Sequence, residues 1–234
     1  MLAIFKRELR SYLFSPLAYV LVAVFVGLGS YFFSVILLST RVADLGGYFA
    51  NMALVAMFIA PLLTMRLWSE EEQKGTAELL LTSPVTMAGI VAGKYLAALV
   101  VYLLAIGISL LYPLILGLYG EPDWGPIISA YLGFILLGAT YLAVGFFASS
   151  LTSSQVLAGV TGIGILLLFW IVGWLSSALG PGVGQVTDYL SVLNQFDDFL
   201  KGILNSTHLV YYGSLIVTFL FLSVQNLQRR IWGD

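Results

Sequence analysis

The sequence predicts an all-α polytopic membrane protein with six transmembrane helices. Three observations carry that expectation. Hydrophobic residues make up 60% of the 234-residue chain, and the mean hydropathy is +0.99. Charged residues make up 9%, against about 25% in an average soluble domain. Ten Lys+Arg and twelve Asp+Glu cannot coat a soluble globule of 25.4 kDa. Finally, six stretches reach the roughly 20 mostly apolar residues that a bilayer span needs. They are 17–38, 48–65, 95–119, 127–148, 156–179 and 209–227, and none contains Asp, Glu, Lys, Arg or His.

Several classes fall away at once. A net charge of -2 gives no basic field for nucleic acid. With no cysteine there is no disulfide framework, thiol catalysis or thiolate metal site. One histidine, His208, leaves no cluster for zinc or iron. The first apolar segment is too long for the core of a cleavable signal peptide, so it is expected to stay in the membrane.

Orientation follows from the basic residues. With the N-terminus in the cytoplasm, the inner segments hold Lys6, Arg7, Arg10, Arg66, Lys74, Lys94, Arg229 and Arg230, and the outer loops only Arg41 and Lys201. Six spans then return the C-terminus to the cytoplasm as well. The expected location is the inner (cytoplasmic) membrane.

Residues 1–16 read as an interfacial elbow helix. Leu2, Phe5, Leu9, Tyr12 and Leu13 share one face of a helical wheel, Arg7, Glu8, Arg10 and Ser11 lie away from it, and Lys6 sits at the boundary. Ser15-Pro16 ends the helix, because a residue before proline is pushed out of the α region. Residues 17–234 form the six-span domain. Pro61 and Pro113 lie inside spans, where kinks are tolerated. Gly133, Gly138, Gly145, Gly159, Gly162 and Gly164 suit close helix packing.

Two connections do more than connect. After the second span, Ser69 and Glu72 have capping-box spacing, Glu70, Glu71 and Glu72 crowd a first turn, and Ser83-Pro84 supplies a stop. The spacing predicts a cytoplasmic helix over about 70–82, weakened at mid-length by Gly75. Leu79, Leu80 and Leu81 then either form a docking knob framed by carboxylates or fold back onto the bilayer. Before the sixth span, in the outer loop 180–208, Tyr189, Leu193, Phe196, Phe199 and Leu200 supply apolar positions, continued by Ile203 and Leu204. Asp188, Asn194, Gln195, Asp197, Asp198 and Lys201 supply polar ones. This predicts an outer amphipathic helix, interfacial or re-entrant. His208 reads as a polar residue at a helix start.

The chemistry is conspicuous by its absence. No ionisable group lies at membrane depth for ion coupling. No G-x-x-x-x-G-K-[ST] phosphate loop, G-x-S-x-G or H-E-x-x-H occurs. No catalytic residue, cofactor site or metal site is expected. An inert bundle with a cytoplasmic docking helix looks like half a machine. The rival readings are an ATP-independent channel or facilitator, which leaves the Glu/Leu segment unexplained, and an intramembrane enzyme, for which only scattered Ser and Tyr are available.

The stretch 70–85 (EEEQKGTAELLLTSPV) resembles the coupling helix of ABC-2 type transporter permeases. Phe5-Lys-Arg-Glu-Leu9, followed by Ser15-Pro16, resembles their N-terminal elbow. Phe196-Asp-Asp-Phe-Leu-Lys-Gly202, His208-Leu-Val-Tyr-Tyr212 and Arg229-Arg-Ile-Trp232 are similar to the gliding-motility-associated, type V exporter-like branch. The resemblance implies an exporter, in which an ABC nucleotide-binding subunit binds ATP and Mg and pushes on the coupling helix. Glu71, Glu72, Glu78, Leu79 and Leu80 would lie at the groove of that subunit; Gly75 and Thr76 would shape the helix and Pro84 would end it. Phe5, Lys6, Arg7, Leu9 and Arg10 would seat the elbow at the membrane. A second permease chain, identical or paralogous, would complete the pathway beside spans two and five, for an apolar or amphipathic substrate. An extracytoplasmic accessory subunit could meet the outer helix.

Overall fold

Inside a bilayer a chain can satisfy its own backbone only as helix or closed barrel. The computed structural model of the protein contains helices and no strand among its described residues, which are 1–40, 42, 44–77, 85–178 and 191–232. The helices are α1 (Leu2–Leu13), α2 (Pro16–Thr40), α3 (Gly46–Thr64), α4 (Arg66–Gln73), α5 (Met87–Ser109), α6 (Leu111–Tyr119), α7 (Trp124–Leu151), α8 (Gln155–Ala178), α9 (Val192–Leu200) and α10 (Ser206–Trp232). Among the described residues, six segments are long and apolar enough to cross a membrane: α2, α3 with α4, α5 with α6, α7, α8 and α10.

The centre of the bundle is α7. Of its most apolar stretch 78% is buried within the protein, against 17% for α2 and for α10. So α7 is core, while α2 and α10 present apolar surface outward. Asp123 caps α7 by accepting a hydrogen bond from the Gly125 amide at 3.1 Å. Helices α3, α5, α8, α9 and α10 surround it.

Small residues on α7 set how closely these neighbours approach. A Cβ on Gly133 would stand 2.6 Å from Phe199 of α9, and one on Gly145 would stand 2.2 Å from Thr64 Oγ1. At Gly138 the clash would be with the Tyr102 ring, at 2.0 Å. Gly162 on α8 is similarly close to Pro61, at 3.0 Å, and Gly159 lies against Met65 at 3.3 Å. Gly164 faces open space, so the packing expectation fails there.

The break between α5 and α6 has an identifiable cause. Pro113 has no N–H to return to the carbonyl of Ser109, four residues earlier. The buried Tyr131 hydroxyl of α7 donates to that carbonyl instead, at 2.7 Å. The proline kink therefore comes with its own partner from the neighbouring helix.

Gly138→Ala should drive a methyl into Tyr102 and disturb the hydrogen bond from its hydroxyl to the Phe134 carbonyl, 2.9 Å. Overpacking of this kind costs about 1–3 kcal/mol, so the thermal midpoint in detergent should fall. Gly107→Ala on α5, with no atom within 4 Å of the new Cβ, should leave it unchanged or raise it.

Candidate functional site

Charged side chains gather where α1, α4 and the start of α5 meet. Helix α1 lies on α5 because Gly93 has no side chain: a Cβ there would be 3.1 Å from the Met1 carbonyl oxygen and 3.3 Å from the Phe5 nitrogen. Ile4 is buried at this contact and Tyr12 is buried beside Leu63 of α3, while Phe5 and Leu9 are half-buried against the core. Leu2 and Leu13 remain exposed. The buried stripe of the elbow is thus rotated from the one read off the wheel, because its partner is α5 as well as any lipid.

One residue beyond Gly93 stands Lys94, at 1% exposure. A lysine ammonium has three donors and no acceptor. Here it meets three oxygens: Glu8 Oε1 at 3.0 Å, Glu71 Oε2 at 3.0 Å and the Leu67 carbonyl at 2.7 Å. The Glu71 contact is an ion pair without hydrogen-bond alignment. Arg7 closes the ring, contacting Glu8 at 2.7 Å and also Glu71, in both cases through Nη2. Burial works against the Arg7 charge, but Glu8 and Glu71 outweigh it and raise its pKa. Two cations and two carboxylates thus neutralise one another across three helices. Isolated buried charge would be far more costly.

A second lock holds α4. Helices α3 and α4 form one rod bent at Met65, and the cause is a side chain inserted into the backbone ladder. Ser149 Oγ, on α7, accepts from the Trp68 and Ser69 amides at 3.1 and 3.2 Å and donates to the Met65 carbonyl at 2.9 Å. From α1, the Tyr12 hydroxyl donates to the Leu63 carbonyl at 2.8 Å. Arg66 reaches Ser15 at 2.6 Å and Glu70 at 3.2 Å. The start of the segment after span two is therefore fixed to α1, α5 and α7.

Over the described residues this geometry departs from the single helix expected over 70–82, of which residues 78–82 lie outside the described part. Ser69 is no N-cap: it is buried inside α4, and its hydroxyl donates to the Met65 carbonyl. The helix starts earlier because span two runs on through the bend. It stops earlier because Gly75 adopts φ +67°. Thr76 N bonds the Glu71 carbonyl at 2.9 Å and Gly75 N the Glu72 carbonyl at 3.1 Å, the Schellman pattern of helix termination. Of the residues expected at the coupling site, Glu71 turns inward to the charged ring, Glu72 is half-buried, and Gly75 and Thr76 are exposed. Glu78, Leu79, Leu80 and Pro84 lie outside the described residues. On α1, Lys6, Arg7 and Arg10 are exposed. Lys94 and Ser149 were missed. Lys94 counted only as an orienting charge, and no local pattern pairs it with carboxylates 86 and 23 positions away.

At the opposite end of the bundle, Ser191 caps α9 by accepting from the Asn194 amide at 3.2 Å. Phe196 and Phe199 are buried, Leu193 and Leu200 half-buried and Asp197 exposed, while Tyr189 lies outside the described residues. The helix ends at Leu200, before Ile203 and Leu204, because Gly202 takes φ +81°. His208 is more than a helix-start polar residue. It is buried, with Nδ1 on Gln195 Oε1 and Nε2 3.0 Å from Asp198 Oδ2, and so fastens α10 to α9.

Lys94→Met should destabilise the chain by about 1–3 kcal/mol, since it leaves Glu8 and Glu71 with Arg7 as their remaining cation and the Leu67 carbonyl without its donor. Adding Glu8→Gln and Glu71→Gln to Lys94→Met should recover most of that loss in the same thermal unfolding measurement. Ser149→Ala should cost about 1–3 kcal/mol through two amides left without an acceptor.

Comparison with known families gives a match over residues 2–229, nearly the whole chain, to the family described as ABC-2 family transporter protein. No curated protein matches the chain. With six candidate spans and this match, the chain belongs to the ABC-2 family of transporter proteins and is a multi-pass membrane permease component.

Proposed function

We propose that this chain is the permease subunit of an ATP-driven exporter, moved by a separate nucleotide-binding subunit that docks on segment 66–84. Permeases of this family work with ABC ATPases and often dimerise. The observation that carries the reading is the double lock on α4. A push delivered to a loosely hung loop would dissipate. A push on this segment enters α5 through Lys94, α7 through Ser149 and α1 through the Arg7–Glu71 pair. The three spans and the elbow are then displaced together.

In this reading Glu72, Gly75, Thr76, Glu78, Leu79, Leu80 and Pro84 present the surface that the ATPase grips. Glu71 has a different task, binding the segment to the elbow. ATP and Mg belong to the partner, and no bond is made or broken on this chain. In this reading the charged end faces the cytoplasm of an inner-membrane protein, an orientation that its Lys and Arg excess supports. A second permease chain, identical or paralogous, lies beside α3 and α8. Leu54 and Phe58 of α3 and Val160 and Leu168 of α8 are exposed apolar side chains available to it, or to an apolar or amphipathic substrate. The stretches Phe196–Gly202 and His208–Tyr212 support a gliding-motility-associated branch, in which the α9 end is the surface for an extracytoplasmic accessory subunit.

The tagged chain, purified from its native membrane, should bring down an ATPase carrying its own phosphate loop. Alanine at Glu72, Glu78 and Leu80 together should abolish that recovery while leaving insertion intact. Full recovery with the triple variant, or substrate flux through the purified chain without nucleotide, would contradict the reading.

A further inference from the structure

The face of α1 turned away from α5 is basic and open to its surroundings. Lys6, Arg7 and Arg10, with Ser11 and Phe14, surround an open hollow of about 540 Å³. The cations are not consumed by the protein. Lys6 and Arg10 make no ion pair among the described residues, and the Arg10 guanidinium sits over the Phe14 ring at 5.8 Å. Arg7 spends only Nη2 on Glu8 and Glu71, which leaves Nε and Nη1 for a further acceptor. Its side chain is 52% exposed.

The surroundings set what that acceptor is attached to. Helix α1 ends two residues before α2, the first span, so the hollow opens at the rim of the apolar surface. Phe14 lines it, and Leu13 and Val20, near it in the chain, are exposed as well. Exposed Tyr19, on the first turn of α2, donates to the Leu13 carbonyl at 2.7 Å, the arrangement of an interfacial aromatic anchor. A ligand filling this hollow needs a compact anionic head over apolar chains.

We infer that this face of α1 binds the headgroup of an anionic phospholipid, its phosphate between Lys6, Arg7 and Arg10 and its acyl chains along the start of α2. The site adds a partner to the charged ring. A phosphate on Nε and Nη1 fixes the guanidinium whose Nη2 holds Glu8 and Glu71, so bound lipid steadies the junction of elbow and coupling segment. The lipid site itself does not depend on the ATPase reading.

The test uses the full chain in a zwitterionic detergent, without nucleotide or partner, and native mass spectrometry after titration with phosphatidylglycerol or phosphatidylcholine. The wild type should retain phosphatidylglycerol over phosphatidylcholine. Lys6→Gln with Arg10→Gln should weaken retention roughly 10- to 30-fold, from about fivefold per basic residue at an anionic surface. Lys201→Gln, at the far end, should change nothing. High salt should weaken retention in the wild type by screening, which tests the site even if the double variant fails to fold. Equal retention of the two lipids, or retention insensitive to both salt and the double variant, overturns the proposal. So does a double variant that keeps its lipid but loses a co-purifying ATPase, since the face would then belong to that protein.

Discussion

The burial of one ammonium group organises the charged end of this protein. Lys94 is inside, at 1% exposure, and a buried lysine must find oxygen for each of its three protons or give up its charge. Its oxygen partners come from α1 and α4: Glu8 and the Leu67 carbonyl accept hydrogen bonds, and Glu71 pairs with it by charge. Lys94 cannot be satisfied unless those helices converge, so its desolvation cost specifies their arrangement. Gly93, immediately before it, gives α1 the room to come close enough. The rest of the junction builds on that contact: Arg7 balances the carboxylates, and Ser149 fixes the bent rod of α3 and α4 to the central helix.

The two ends of the bundle solve a common problem differently. Each must hold a short amphipathic helix against long apolar ones. At the charged end the fastening is ionic, with Glu8, Glu71 and Lys94. At the opposite end it is packing and polar hydrogen bonding, with Phe199 seated over Gly133 and His208 reaching Gln195 and Asp198. Both short helices stop at a left-handed glycine, Gly75 and Gly202.

Much of the fold was legible because bilayer physics is one-dimensional: length, apolarity and flanking charge can be read along the chain. The six spans were found for that reason, with Met87–Tyr119 longer than expected because a paired lysine can enter a helix that an unpaired one would end. The junction was not legible. Glu70, Glu71 and Glu72 look alike in sequence, yet Glu71 alone is drawn in to both Lys94 and Arg7, and only long-range geometry separates them. Ser69 had the spacing of a cap, but the serine that matters, Ser149, comes from a helix 80 residues away. A capping rule counts neighbours in sequence and cannot see it.

The central claim is that elbow and coupling segment are one mechanical body. The chain has no cysteine, so spin labels at Ser11→Cys on α1 and Gln73→Cys on α4, both exposed, can be placed without background. Pulsed electron paramagnetic resonance on the complete transporter, nucleotide-free and ATP-trapped, should give an unchanged distance between the two labels within one chain. A nucleotide-dependent change in that distance would mean that elbow and segment move separately, and Lys94 would then be a stabilising residue with no part in transmission.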